Sequence, residues 1–218
     1  MNKKSIDLQI EQEKSLNRPR IKYSLAAKIF FALMDLVVGK NITLAKTKLI
    51  ETLASIPYRA WEGRQYTKLT NNYNSSEKVK EFKKIMEWGR EAQDNEYYHL
   101  LVINAKMKED KVKDAWYLFQ PIPFLLVLFY RIFSSLMAFF YIKGAFLFNA
   151  EFEDHAEHVY AQFVKENPQW DNELVQSEVV KEYGEFENWA DVFRRIGLDE
   201  REHRNSSFVF AGKDDMVA

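Results

Sequence analysis

The sequence predicts an all-α fold, and three observations carry that prediction. The first is the scarcity of chain-breaking residues: 218 residues hold 7 Gly and 5 Pro against 17 Phe and 11 Tyr, a profile that favours long helices over strands joined by turns. The second is a repeated motif. A lone Glu51 is followed by the pair Glu96 and His99, and a lone Glu153 by the pair Glu200 and His203, each pair spaced Glu-x-x-His. Residues three apart on a helix project from one side, about 4.5 Å apart along the axis, so each pair aims a carboxylate and an imidazole at one point. The third is length, which suits a single domain with a full core.

Two lone Glu and two Glu-x-x-His pairs on four helices are the ligand set of ferritin-like four-helix bundles that bind two iron or two manganese ions. The expected architecture is therefore such a bundle around two iron or two manganese ions, to which the apolar stretches described below add extra membrane-associated helices. Four carboxylates against two divalent cations make a nearly neutral site, which is the condition for burying so many acids together. Without metal the same carboxylates repel one another and their pKa values rise. A single Glu-x-x-His means little, but here two of only four histidines carry it. Cysteine is absent, which excludes disulfides and thiolate sites and leaves any iron to oxygen and nitrogen ligands. A net charge of -1 gives no argument for a nucleic-acid partner.

In chain order, residues 1–22 read as a polar N-terminal arm, 23–209 as the helical bundle and 210–218 as a C-terminal tail. Residues 1–20 are mixed in charge and lack the apolar core of a secretory signal. In SLAAKIFFALMDLVV, residues 24–38, Lys28 and Asp35 share one face. The broad apolar remainder suits either a core helix or one lying in a membrane surface. The next helix opens near Ile42, carries Glu51 and runs toward Gly63, with Pro57 kinking or ending its regular part. TNNYNSSEK, residues 70–78, is the clearest break. Ser76 and Glu77 then open a long helix that carries Glu96 and His99 and ends around residues 106–109.

Residues 116–148 are the most hydrophobic stretch, with Arg131 and Lys143 as the only formal charges, and the run 122–142 is long enough to cross a bilayer. The ligands argue against a crossing. One span would leave Glu51, Glu96 and His99 on one side and Glu153, Glu200 and His203 on the other, with no second long run to return. Ligands of one centre meet within a few ångströms, so this stretch is expected to pack in the bundle and show one face to lipid, with Arg131 and Lys143 snorkelling to headgroups. After Gly144 a helix carries Glu153 and ends before Asn167-Pro168; the last helix runs from about Phe186 through Glu200 and His203. Gly197, one turn before Glu200, allows close approach or a bend.

At these residues the chain resembles the alternative oxidase family, in particular its plastid terminal oxidase branch, over roughly residues 40–208. LIETLASIP around Glu51 matches the first ligand motif, and Asn95-Glu96-Tyr97-Tyr98-His99-Leu100 matches the second, NExxHL. Glu153-Asp154-His155-Ala156 with Tyr160 matches the third, and Asp199-Glu200-Arg201-Glu202-His203 matches the fourth, DExxH. Tyr58, His155 and the Glu202-His203 ending resemble the plastid-type branch, while Lys46 stands where the family usually has arginine.

The resemblance implies a monotopic membrane-bound quinol:oxygen oxidoreductase of a thylakoid or bacterial cytoplasmic membrane. Its partners would be plastoquinol or ubiquinol, O2, the lipid bilayer and a second copy in a homodimer. Plastoquinol would be oxidised and O2 reduced to water at two Fe ions. The alternatives are a ubiquinol oxidase of the same family, a di-iron hydroxylase of a quinone precursor, and a membrane-associated helical protein without turnover. Glu96 and Glu200, each paired with a His, are the expected bridging carboxylates, with Glu51 and Glu153 terminal. Whether His99 and His203 ligate iron directly or through a hydrogen bond is open from sequence. Asn95 and Asp199 adjoin ligand Glu residues and are candidates to orient them. Tyr160 lies two turns beyond Glu153 on the same face, where its phenol could supply an electron and a proton. By the resemblance, Lys46, Ile50, His155 and Ala156 line a quinol pocket.

Overall fold

The structure, a computed structural model, describes residues 6–218; residues 1–5 of the expected N-terminal arm lie outside the described residues. The chain is all-helical. Eight α-helices follow in order: α1 (Leu8–Asn17), α2 (Leu25–Val38), α3 (Leu44–Asn72), α4 (Ser76–Glu109), α5 (Ile122–Phe140), α6 (Ile142–Glu166), α7 (Glu178–Tyr183) and α8 (Trp189–Ala211). Single 3-10 turns occupy Trp116–Leu118, Pro168–Asn172 and Asp214–Met216. No strand occurs among the described residues.

Local chemistry sets the helix ends. The side chains of Ser24, Thr43 and Asn188 accept from the backbone N–H of Ala27, Lys46 and Asp191, satisfying donors that have no partner inside the helix, at about 1 kcal/mol each. Pro57 does not end α3, which runs on to Asn72. A proline removes one donor and crowds the carbonyl four residues back, but Ile56, Pro57 and Tyr58 are all buried and α3 packs along α4. Tertiary packing therefore holds the helix through. The expected break at 70–78 shrinks to residues 73–75.

The dominant packing pairs are α3 with α4 and α6 with α8; α5 lies against α3 and α6, and α1 docks on α6 and α8. Glycine sets two of the approaches. A Cβ on Gly89 would sit 3.3 Å from the Tyr58 carbonyl, and one on Gly197 would sit 3.3 Å from the Tyr160 Cβ, so α4 nears α3 and α8 nears α6 where a larger residue would force them apart. Gly197 thus acts through close approach.

Apolar clusters bracket a polar layer. One contains Leu49, Ile103, Tyr160, Trp189 and Phe193; another contains Tyr58, Trp61, Ala92 and Phe146. Side chains as buried as Trp61, Phe146 and Phe193 each gain roughly 1.5–3 kcal/mol by leaving water. Between the clusters lie the six acidic and histidine side chains described below. The arm expected to be merely polar contains α1, which binds by polar contacts: Gln12 donates to the Ala161 carbonyl at 2.9 Å and Ser15 to Glu157 at 2.7 Å.

Two helices turn apolar side chains outward. The long hydrophobic run is not one element, because Tyr141 breaks it between α5 and α6. α5 is long and apolar enough to cross a membrane. Only Tyr130, Ser134 and Ala138 of α5 are buried, while Phe124, Leu128, Phe129, Leu136 and Phe140 are exposed. On α2 only Ala27 is buried, and Leu25, Ile29, Leu33 and Leu36 form an exposed stripe at helical spacing. The two helices touch through Phe30 and Tyr130, whose ring centroids are 5.6 Å apart.

Candidate metal centre

Four helices deliver the six side chains of the repeated motif to one buried place: Glu51 from α3, Glu96 and His99 from α4, Glu153 from α6, and Glu200 and His203 from α8. They form two overlapping groups, each with ligand atoms within 4.8 Å of one another. Glu51, Glu96, His99 and Glu200 make one; Glu96, Glu153, Glu200 and His203 make the other. Glu96 and Glu200 belong to both.

Each group has a histidine facing in through Nδ1. That of His99 lies 3.3 Å from Glu96, 3.3 Å from Glu200 and 3.5 Å from Glu51. That of His203 lies 2.9 Å from Glu96 and 3.8 Å from Glu200. Six inward atoms are buried without a hydrogen-bond partner: Glu51 Oε2, both Glu96 oxygens, Glu153 Oε2 and both histidine Nδ1 atoms. Buried polar atoms are normally satisfied, since each orphan costs on the order of 1–3 kcal/mol. An oxygen-rich, two-imidazole set of this kind suits divalent transition metals. Each group could therefore hold a metal ion through these atoms.

The charges tell the same story. Burial pushes the Glu51 carboxyl up to about 8, with repulsion from Glu96 and Glu200 adding to it against the pull of His99. Burial, then Glu200 and Glu96, push Glu153 well above the usual range. Burial acts on Glu96 too, but His203 and His99 overcome it and hold the carboxyl low. Burial disfavours charge on both imidazoles, yet Tyr183, Asp199, Glu200 and Glu51 raise His99, and Glu200 and Glu96 raise His203, well above the usual range. Without metal, protons do the neutralising that two dications would do.

A further layer holds the ligands in place. Asp199 Oδ2 lies 3.2 Å from His99 Nε2, the ring nitrogen turned away from the cluster, and it also accepts from Asn95 at 3.2 Å and from the Tyr183 hydroxyl. Arg195 pairs with the other Asp199 oxygen. A histidine fixed by a carboxylate on its far nitrogen is the usual support for a metal-binding imidazole. Asn95 reaches the ligands only through Asp199. The tyrosines cross over: Tyr160, seven residues after Glu153, donates to Glu51, and Tyr58, seven residues after Glu51, donates to Glu153 at 2.7 Å. Asn149 donates to the same Glu153 oxygen at 2.9 Å.

Tyr58, Asn149, Tyr183 and Arg195 are the residues that sequence reasoning missed. Tyr58 had a signal, the same interval from a lone Glu as Tyr160, and Arg195 is one helical turn before Asp199. Tyr183 has none, because only the fold brings α7 to α4.

Lys46, Ile50, His155 and Ala156 line one cleft between α2, α3 and α6, together with Tyr160, Phe31 and Asp35. The Lys46 ammonium is tied down, 2.8 Å from Asp35 and 2.7 Å from the Gly39 carbonyl. His155 accepts from Arg20 at 2.8 Å and stacks on Phe31 with centroids 4.3 Å apart. Burial, then Arg20 and Lys46, hold its pKa down at about 4. The free volume is about 30 Å³, room for a single water. A third acid and histidine group, Asp154, Glu157 and His158, is already neutralised by Arg18, at 2.6 Å from Asp154 and 2.8 Å from Glu157, and by Arg201 and Arg204. It is an ion-pair network.

No protein-family model and no curated protein matches this chain.

Proposed function

We propose that the chain is a quinol:oxygen oxidoreductase of the alternative oxidase kind, a four-helix bundle of α3, α4, α6 and α8 around two iron ions, oxidising plastoquinol at a membrane surface. What supports the reading most is one connection. Tyr160 forms part of the cleft wall and donates its hydroxyl to Glu51 of the buried cluster, while α2, on the opposite side of the cleft, shows an exposed apolar stripe. A substrate dissolved in lipid would reach the cleft without passing through water.

Glu51, Glu96, His99, Glu153, Glu200 and His203 would hold the irons. When bound, the irons supply the redox chemistry by which two quinols and one O2 become two quinones and two waters. The protein positions and moves protons. Tyr160, its phenol kept protonated by burial and by Glu51, links the cleft to the cluster through one hydrogen bond. Lys46, fixed by Asp35, and neutral His155 present donors to the oxygens of a quinol ring. The cleft as it stands is too small for that ring, so entry requires Phe31 to leave its stack on His155.

The exposed apolar faces of α2 and α5 support membrane association, and the convergence of the clustered residues from both sides of α5 in the chain supports contact without a crossing. The test is oxygen uptake by membranes holding the protein, with cyanide present to silence haem oxidases and with plastoquinol and ubiquinol analogues compared. Uptake that depends on quinol, with water as product, is expected. An oxygen atom found in the organic product would replace this reading with a hydroxylase, and no quinol-dependent uptake would end it.

A further inference from the structure

A second recess lies between α3 and α5. Arg59 and Arg64 of α3 and Arg131 of α5 line one groove of about 700 Å³ together with Ile56, Val127 and Phe139. No acidic side chain lines it. Glu62, the acid nearest to Arg59 and Arg64 in sequence, is engaged by Arg90 at 2.6 Å. The Arg64 guanidinium carbon stands 4.5 Å from the centre of the Phe139 ring, a cation–π contact that holds this side chain at the lip, and its Nε is buried with no hydrogen-bond partner. Three cations without an anion in a partly apolar groove repel one another, and an incoming anion would relieve that.

We propose that this groove binds the headgroup of one anionic phospholipid, its phosphate among the three guanidiniums and its acyl chains along the outer face of α5. Arginine suits the phosphate because its planar fork donates two parallel hydrogen bonds to phosphate oxygens. The acyl chains have a surface to follow, since Ile132, Leu136 and Phe139 are all exposed on α5 beside the groove. A choline headgroup would bring its own cation among the arginines, so the site selects a lipid with net negative charge. A free phosphate would leave the apolar walls uncovered. This inference rests on reading α5 as lipid-facing, and it adds a specific lipid partner to a general membrane contact.

The test uses the full-length metal-loaded protein and flotation with vesicles of phosphatidylcholine alone or mixed with phosphatidylglycerol. Wild-type protein is expected to bind both, with a preference for the anionic vesicles on the order of 100-fold, from three basic residues at the surface. The variant R59Q/R64Q/R131Q should bind neutral vesicles as wild type does and lose that preference. A control, K80Q/K84Q/K108Q, removes equal charge from exposed positions on α4, away from the lipid-facing helices, and should keep most of it. Gly63→Leu tests occupancy without altering charge: a Cβ there meets nothing within 4 Å, so the variant folds, fills the groove and should also lose the preference. Equal losses in the control, or none in the arginine variant, would overturn the proposal. If wild type floats with neither vesicle, the membrane reading fails by itself. The groove is then judged by titrating detergent-solubilised protein with short-chain phosphatidylglycerol, where no saturable binding, or competition by inorganic phosphate at equal affinity, would overturn it.

Discussion

Replacing Asp199 with Asn is expected to weaken metal binding at the buried cluster by about 10–100-fold, roughly 1.4–2.8 kcal/mol. Asp199 touches no metal-facing atom. Its Oδ2 lies 3.2 Å from His99 Nε2 and receives the Tyr183 hydroxyl as well, so the carboxylate fixes the imidazole's orientation and strengthens its donor nitrogen. An amide of the same shape keeps the packing but loses the charge. Arg195 retains Glu202 at 3.1 Å, so the loss of its Asp199 partner leaves no stranded charge. The assay is anaerobic competition for Fe(II) against a chelator, with urea unfolding alongside to show that the fold survives. Tyr183→Phe calibrates it: that change removes one neutral donor and leaves the carboxylate, and should cost no more than about tenfold. Affinity of the Asp199→Asn variant within twofold of wild type would refute the claim that Asp199 acts on the metal through His99.

Other expectations follow from the same geometry. Tyr160→Phe should keep its metal and lose most quinol-dependent oxygen uptake, because the link between cleft and Glu51 is the hydroxyl alone; uptake at wild-type rate would remove Tyr160 from the reaction. Phe31→Ala should lower KM for a quinol analogue by freeing the cleft beside His155, and an unchanged KM would show that the ring does not enter there. Glu157→Gln should destabilise the fold by about 1–3 kcal/mol near neutral pH, since Arg18 keeps Asp154 and Arg201 keeps Glu11, and only Arg204 is left with a distant acid, Asp154 at 3.7 Å. Burial raises the Glu157 pKa, but Arg204, Ser15, Arg18 and Arg201 together bring it below the usual 4.5. Its stabilisation is therefore full above pH 4.5 and is lost as pH falls through the lower folded value. Urea midpoints against pH should show an acid limb in wild type that is flatter in the variant, and parallel limbs would contradict the assignment.

Four of the six clustered side chains were legible because Glu-x-x-His is local, helical geometry alone putting both members on one face; Glu51 and Glu153 were readable only from the recurrence of a lone Glu upstream of each pair. The hydrophobic run was legible only in part: its length and apolar character announce α5, but the break at Tyr141 that starts α6 was not read. What sequence did not disclose depends on long-range packing. Pro57 reads as a breaker, yet α3 continues because α4 supports it on both sides of the proline. Residues 8–17 have no apolar face, so nothing announced a helix, and α1 is held by hydrogen bonds such as Ser15 to Glu157 that only the assembled helices create. Tyr183 reaches Asp199 across the fold from a six-residue helix. Tyr58 was readable by symmetry with Tyr160, although its role in holding Glu153 becomes evident only where α3 and α6 run past each other.

Metal content tests the central claim most directly. Protein purified from iron-replete cells should hold two irons per chain, and Glu96→Ala should lose both, because Glu96 belongs to both ligand groups. Well under two irons in wild type, with neither content nor activity altered by Glu96→Ala, would contradict the account.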